Sequence, residues 1–292
     1  MAEIAAPPIT VHEPRSPRRR AVRRFLANPS ALIGLVLVLL ALACALFAAQ
    51  ITPYDPIRGD LSLYVKPPSP DHLFGTDDIG RDIFTRVIHG ARISLKIALL
   101  AQAASLSIGL IFGLITGYYG GLIDTLIMRL VDVIMSFPLL IIAIALVSAL
   151  GANENNIIFA LAFVSWPFVT RLTRSQVLAV KEMEYITAAR SLGAPALTIM
   201  LRHIVPNILT PLIVYATLGI GGTILSEAAL SFIGLGGADQ AVPSWGKMLT
   251  ESRAFIRSAW WMPFYPGMAI LLTVLGFNLL GDGLRDILDV RE

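Results

Sequence analysis

Long apolar runs without a single charge alternate with shorter segments that carry most of the charge of this 292-residue chain. From residue 31 to 49 it reads ALIGLVLVLLALACALFAA, long enough to cross the roughly 30 Å hydrocarbon core of a bilayer as one helix. A soluble core helix of that length would be an isolated case, but several such runs follow. Six spans are predicted: 30–50, opened by Asn28-Pro29-Ser30; 97–118, ending at GYYGG; 133–150, kinked at Pro138; 157–178, running through Trp166-Pro167; 208–230; and 263–280. Residues 51–90 have a Pro-rich, extended middle, and 236–262 carry enough aromatic residues around Trp245, Trp260 and Trp261 for a short interfacial helix. One stretch fits neither class: EYITAARSLGAPALTIMLRHIVPN, residues 184–207, is too polar to span and too apolar to be a linker.

Composition agrees with the pattern. Hydrophobic residues make up 55% and charged residues 15% of the chain, against about 45–50% and 25% in soluble domains. Arg15, Arg18, Arg19, Arg20, Arg23 and Arg24 precede the first run, which is longer than a secretory h-region. A basic flank before a first span places the amino terminus in the cytoplasm, and six spans return the carboxyl terminus there. Arg171, Arg174, Lys181, Arg190 and Arg202, between the fourth and fifth spans, agree with that orientation. Arg81, Arg86, Arg92 and Lys96 oppose it, in a long loop where the rule is weak. The expected layout is a cytoplasmic basic tail (1–29), a first transmembrane helix (30–50), an external loop (51–96), a five-helix core (97–285) with a cytoplasmic loop at about 181–206, and a closing tail (286–292). The fold class is all-α integral membrane, and Cys44, the one cysteine, rules out an intrachain disulfide.

Most enzyme chemistries leave no trace. The chain lacks GxxxxGK[ST], HExxH and GxSxG, its histidines (His12, His72, His89, His203) are scattered, and no metal site is expected. Asp77, Asp78 and Asp82 miss the calcium-loop spacing, and salt bridges to Arg81 and Arg86 are the favoured reading. Arg129 and Asp132 are three apart on one helical face and are expected to pair. The glycine clusters at Gly219 and Gly234 suggest close helix packing or a span end. Glu227 and Asn278 sit within spans, where an ionisable or amide group either lines a pathway or bonds a neighbouring helix.

Physically, 184–207 divides at Gly193. Ile186, Ala189 and Leu192 share a face of a first short helix; Gly193 suits the left-handed residue that ends it, and Pro195 the start of a second. Leu197, Leu201 and Ile204 form the second stripe, closed by Pro206. An apolar stripe on a water-facing loop calls for a protein partner or the bilayer surface.

At these residues the chain resembles a known family. The stretch looks like the conserved cytoplasmic loop of ABC importer permeases, with Ala188, Ala189, Gly193 and Pro206 in matching places, while the motif's initial Glu is Thr187 here and Glu184 lies a turn earlier. FGTDDIGRDIFTRVIHGARISL (74–95), DVIMSFPLLIIAIAL (132–146) and ILSEAALSFIGLG (224–236) resemble the C-type transmembrane subunit of oligopeptide, dipeptide and nickel importers. The resemblance implies the six-helix type I importer permease fold with a cytoplasmic coupling helix, multi-pass in the bacterial inner membrane. It implies a pore-forming subunit moving oligopeptides or dipeptides by alternating access, or, in the same architecture, nickel or another small solute. A homologous B-type permease, two cytoplasmic ATPases and an external binding protein would be its partners; ATP and Mg would sit on the ATPases and no cofactor in this chain. Glu184, Thr187, Ala188, Ala189, Arg190, Gly193 and Pro206 would form the coupling loop, and Phe74, Gly75, Asp77, Arg81 and Asp82 the external contact with the binding protein. A self-sufficient secondary transporter would carry inverted repeats, and an intramembrane enzyme a nucleophile–base or metal pair; neither pattern is present.

Overall fold

The computed structural model describes residues 25–237 and 242–288, except for the side chain of Leu288. The six tail arginines and residues 289–292 lie outside that set. Among the described residues all named elements are helical, and the only bridge is isolated, between Thr76 and Asp82. In chain order they are α1 (Pro29–Leu46), α2 (Ala48–Ile51), α3 (Ile83–Tyr119), α4 (Gly121–Met135), α5 (Leu139–Leu150), α6 (Glu154–Lys181), α7 (Glu184–Ser191), α8 (Ala196–Leu235), α9 (Trp245–Glu251) and α10 (Trp261–Leu288). Among them α1, α3, α6, α8 and α10 are long and apolar enough to cross a membrane, and α4 with α5 makes a sixth candidate if that bent pair counts as one span.

Local chemistry sets the helix ends. Asn28 caps α1 by accepting from the Ala31 N–H at 3.2 Å, with Pro29 in the first turn. Asp82 caps α3 through the Thr85 N–H at 2.7 Å, and Asn153 caps α6 through the Asn156 N–H at 2.9 Å. The cap at Asp82 corrects the expected loop boundary: the stretch 83–96 is helix, continuous with the second span, so the loop proper ends at residue 82. Its charges do not break the helix, because Arg86 is buried against loop and α9 carboxylates while Arg92 bonds the Ala45 carbonyl at the end of α1.

The third span differs more. Pro138 does not kink one helix: Ser136 still has helical angles as the cap of α4, the chain turns out at Phe137 and Pro138, and α4 and α5 meet at 89°. Proline restricts the residue before it to extended backbone, so the helix ends before Pro138. At 12 residues α5 is about 18 Å long, short of the bilayer core by itself. Within α4, Asp132 pairs with Arg171 of α6 at 2.5 Å instead of with Arg129, and Asp124 takes both Nε and Nη2 of Arg174 at 2.6 and 2.7 Å. The expected Arg129–Asp132 pair is replaced because α6 packs beside α4.

Pro206 does not close a helix. A π turn spans Ile199–Ile204, and α8 continues through Pro206 and Pro211 to Leu230. The wide turn accommodates the residue that lacks an N–H, and it brings Ile199 and Ile204, five apart, onto one buried face.

Small residues set how closely the long helices approach. Gly109, Gly113 and Gly117 repeat every four residues along α3 and face Val169, Thr173 and Val177, which repeat every four along α6. A Cβ added at these glycines would lie 2.3, 2.4 and 2.7 Å from the Cβ of its opposite number. Gly34 and Gly283 serve the antiparallel α1–α10 pair in the same way, against Leu280 and Ala31. The α3–α6 seam and the α1–α10 pair flank α8, which packs on α3, α6 and α10.

Candidate functional site

Three regions hold the nominated residues. At the bundle end formed by the carboxyl ends of α3 and α6, Ile186 anchors α7: it is fully buried with Val177, Val180, Ile199, Met200, Ile204 and Ile208. The turn that follows satisfies the helix's last carbonyls twice. Gly193 N–H donates to Arg190 O at 3.0 Å and Ala194 N–H to Ala189 O at 3.1 Å, the paired bonds of a Schellman end. That end needs the positive φ of 81° seen at Gly193. Pro195 caps the start of α8.

The two apolar stripes expected here are each divided. Ile186 and Ile204 face the bundle, Ala189 is half-buried, and Leu192, Leu197 and Leu201 point away from it. Leu192 is 88% exposed because it sits at the cap, where the chain has already left the helix. Glu184, Thr187, Ala188, Arg190, Gly193 and Pro206 are exposed as well, so this end presents an apolar patch ringed by polar groups. Arg190 also sits 5.7 Å over the Tyr118 ring, and Lys181 Nζ bonds the Gly117 carbonyl at 3.0 Å, tying the element to α3.

At the opposite end, the residues nominated for an external contact are mostly interior. Asp77, Arg81 and Asp82 are buried, and Gly75, at φ 77°, packs against Trp261. Phe74 stacks on Tyr265 with ring centroids 3.8 Å apart. Asp77 Oδ2 accepts from Arg81 Nε at 2.7 Å and lies 3.5 Å from Arg86 Nε. Glu251 Oε2 of α9 accepts from Arg86 Nη2 at 2.6 Å and Arg81 Nη2 at 3.2 Å. Of the expected salt bridges, those of Asp77 and Asp78 are present, Asp82 instead caps α3 and faces His72, and Glu251 is a partner that sequence spacing could not reveal. His72 Nδ1 and Asp82 Oδ1 are 2.9 Å apart. This network joins loop, α3 and α9, and Ile57, Leu61, Tyr64 and Leu73 of the loop are exposed. Of the aromatic residues around α9, Trp245 is buried, its indole N–H bonding the Val87 carbonyl at 2.9 Å, while Trp260 is exposed.

Within the spans, Glu227 and Asn278 are not brought together. Glu227 is 1% exposed and accepts from three hydroxyls, Ser231 at 2.8 Å, Ser94 at 3.2 Å and Ser244 at 3.2 Å. It thus bonds neighbouring segments, and it also lines a cavity of about 380 Å³ with Ile93, Ile97 and Asn153. Asn278 is exposed on α10, beside Gly221. Another cavity, of about 260 Å³, lies among α3, α5, α6 and α8, with Gln102, Ser165, Tyr215, Thr223 and Ser226 in its wall. Gln102, Ser165, Thr223 and Ser226 sit inside apolar runs (LLAQAAS, FVSWPF, GGTILSE), where a polar but uncharged residue is a weaker sequence signal than a charge. Among the described residues no group of three or more His, Cys, Asp and Glu side chains gathers as metal ligands.

Comparison with known proteins adds to this geometry. Residues 109–292 match the family described as binding-protein-dependent transport system inner membrane component, and residues 16–68 match the N-terminal TM domain of oligopeptide transport permease C. The chain is 46% identical over 285 residues to a dipeptide transport system permease protein of Alkalihalophilus pseudofirmus, covering 98% of this chain and 93% of the other. It is 44% identical to a di/tripeptide transport system permease protein of Pseudomonas aeruginosa, over 94% and 93% of the two chains. A glutathione transport system permease protein of Pectobacterium atrosepticum is 42% identical over 95% and 92%.

Proposed function

Because this chain belongs to the family of binding-protein-dependent transport system inner membrane components, we propose that it forms one half of the pore of an ATP-driven importer of short peptides. Relatives named for dipeptides, di/tripeptides and glutathione support peptide as the cargo. A homologous permease would complete the pore, two ATPases would bind ATP and Mg in the cytoplasm, and a binding protein would deliver peptide from outside. The basic amino-terminal flank supports this orientation, with both termini and α7 cytoplasmic and α9 external.

The observation that carries the reading is the end of the bundle at α7. Leu192, Leu197 and Leu201 stand uncovered beside a turn whose two backbone bonds fix its shape, and a surface of that kind suits a groove on an ATPase. ATP would draw the two ATPases together and carry α7 with them. Ile186, the Lys181–Gly117 bond and the α3–α6 glycine seam would pass the movement into the spans. The pore would then open outward to receive peptide, and hydrolysis would reset it; this chain makes and breaks no covalent bond. On the outer side, the buried Asp77–Arg81–Arg86–Glu251 network would hold the shape of the surface that meets the binding protein.

Docking is tested by Leu192→Asp in the complete complex. An aspartate there has no bundle contact to disrupt, so the permease is expected to insert normally while ATPase recovery in pull-downs falls at least fivefold. Full recovery of the ATPases, with normal peptide-stimulated hydrolysis, would remove α7 from this role.

A further inference from the structure

The cavity among α3, α5, α6 and α8 holds a polar group without adequate partners. Gln102 is 5% exposed and its amide NH2 has no hydrogen-bond acceptor. Its Oε1 lies 3.4 Å from the Thr223 hydroxyl, which has one proton and donates at 2.8 Å to the Gly219 carbonyl. Both ends of the amide are therefore under-used. Gly219 allows this placement, since a Cβ there would stand 2.6 Å from Nε2 and 2.8 Å from Oε1. Leaving an amide unpaired at bilayer depth is unfavourable, and a wholly apolar side chain would avoid it.

The surroundings narrow what could pair with it. Ala143, Leu161 and Val164 supply an apolar wall, and Leu139, Leu140 and Phe168 are exposed, so the cavity is open on one side. Its volume, about 260 Å³, falls just below the roughly 300–1,000 Å³ of small-molecule pockets, as suits half of a site shared with a second subunit. Gln102 lines the cavity, and the terminal torsion of a glutamine is broad, so its amide can present either oxygen or nitrogen there. A primary amide both donates and accepts, so it can pair with the N–H or with the C=O of a peptide bond, which lie on opposite edges of the trans peptide. Resting on the importer reading, we propose that Gln102 is a cargo-binding residue that pairs with the backbone amide of a passing peptide, while the apolar wall accepts side chains of any kind. Recognition at this depth is then of the peptide bond and not of the residue sequence.

The test uses the complete transporter with its binding protein and ATPases in proteoliposomes, and compares uptake of dialanine with uptake of its N-methylated-amide analogue. The wild-type complex is expected to favour dialanine at least tenfold after correction for binding-protein affinity. Gln102→Leu is expected to slow dialanine uptake about tenfold and bring that preference close to one. An unchanged preference in Gln102→Leu overturns the inference; no peptide uptake by the wild type overturns the importer reading instead. Should Gln102→Leu fail to assemble, a second variant decides. Gly222 lines the cavity with open space at its Cβ, so Gly222→Cys in a Cys44→Ala background is expected to react with a small thiol reagent at least fivefold more slowly when peptide is present. A thiol that peptide does not protect would place the cargo elsewhere.

Discussion

The α3–α6 seam makes a quantitative demand on Gly113. In Gly113→Val the new Cβ would sit 2.4 Å from Thr173 Cβ and 2.9 Å from the Thr170 carbonyl oxygen. Ordinary contacts begin near 3.4 Å, so the helices must part by about 1.0 Å (3.4 − 2.4) before the valine methyls are placed. One of the obstacles is backbone, which cannot rotate aside as a side-chain tip can. Overpacking of this kind costs about 1–3 kcal/mol, and the helix preference of valine over glycine returns only about 0.3 kcal/mol. A net loss near 2 kcal/mol corresponds to a melting temperature lowered by roughly 4–8 °C at the 2–4 °C per kcal/mol typical of domains of 150–250 residues. The half-buried Cys44, the chain's one cysteine, reports unfolding when a thiol-reactive dye is present during a thermal ramp in detergent. Gly267→Val is the control, since nothing lies within 4 Å of a Cβ at that glycine of α10. Thr173→Gly removes the opposing Cβ and is expected to cost less in the Gly113→Val background than alone, the signature of directly coupled sites. A Gly113→Val protein that melts with the wild type, or strict additivity of the two changes, would refute the account of the seam.

Two further outcomes follow from the ends of the bundle. Glu251→Ala leaves Arg86, 0% exposed, with only Asp77 Oδ2 and the Pro56 carbonyl at 3.5 Å; breaking a buried pair costs about 3–5 kcal/mol, and the partial exposure of Glu251 reduces this to about 2 kcal/mol, read as a lower melting temperature that added salt changes little. Gly193→Ala meets no neighbour within 4 Å, so its effect is the left-handed backbone alone, about 1–2 kcal/mol; faster hydrogen exchange at the amides of residues 193 and 194, a melting temperature lowered by roughly 2–8 °C and weaker peptide stimulation of hydrolysis are expected.

What could be read from the sequence depended on whether the signal was local. The apolar runs mark α1, α3, α6, α8 and α10 because each span must be apolar over its own length, and the Gly193–Pro195 break is legible because a Schellman end requires a particular residue at a particular place. Partners distant in sequence were not legible. Nothing near Arg86 points to Glu251, 165 positions away, or near Asp132 to Arg171. The division of the stripes at 184–207 was hidden for other reasons: Leu192 already lies at the cap of its helix, and a helical wheel assumes 3.6 residues per turn, from which the π turn at Ile199–Ile204 departs. Glu227 drew attention by its charge, but three serines already satisfy it, whereas the uncharged Gln102 is the group left wanting a partner.

At 37 residues, α3 is one uninterrupted rod of about 55 Å, beginning at the Asp82 cap within the loop network and ending beside Lys181 and Arg190. Such a rod behaves as a lever whose fulcrum lies within the bilayer. Tilting it by about 5° around its midpoint would carry its two ends about 2.4 Å in opposite directions, from half its length at 1.5 Å per residue. In the importer proposed above, a change at one face of the membrane would thereby be registered at the other without any residue between them changing its conformation.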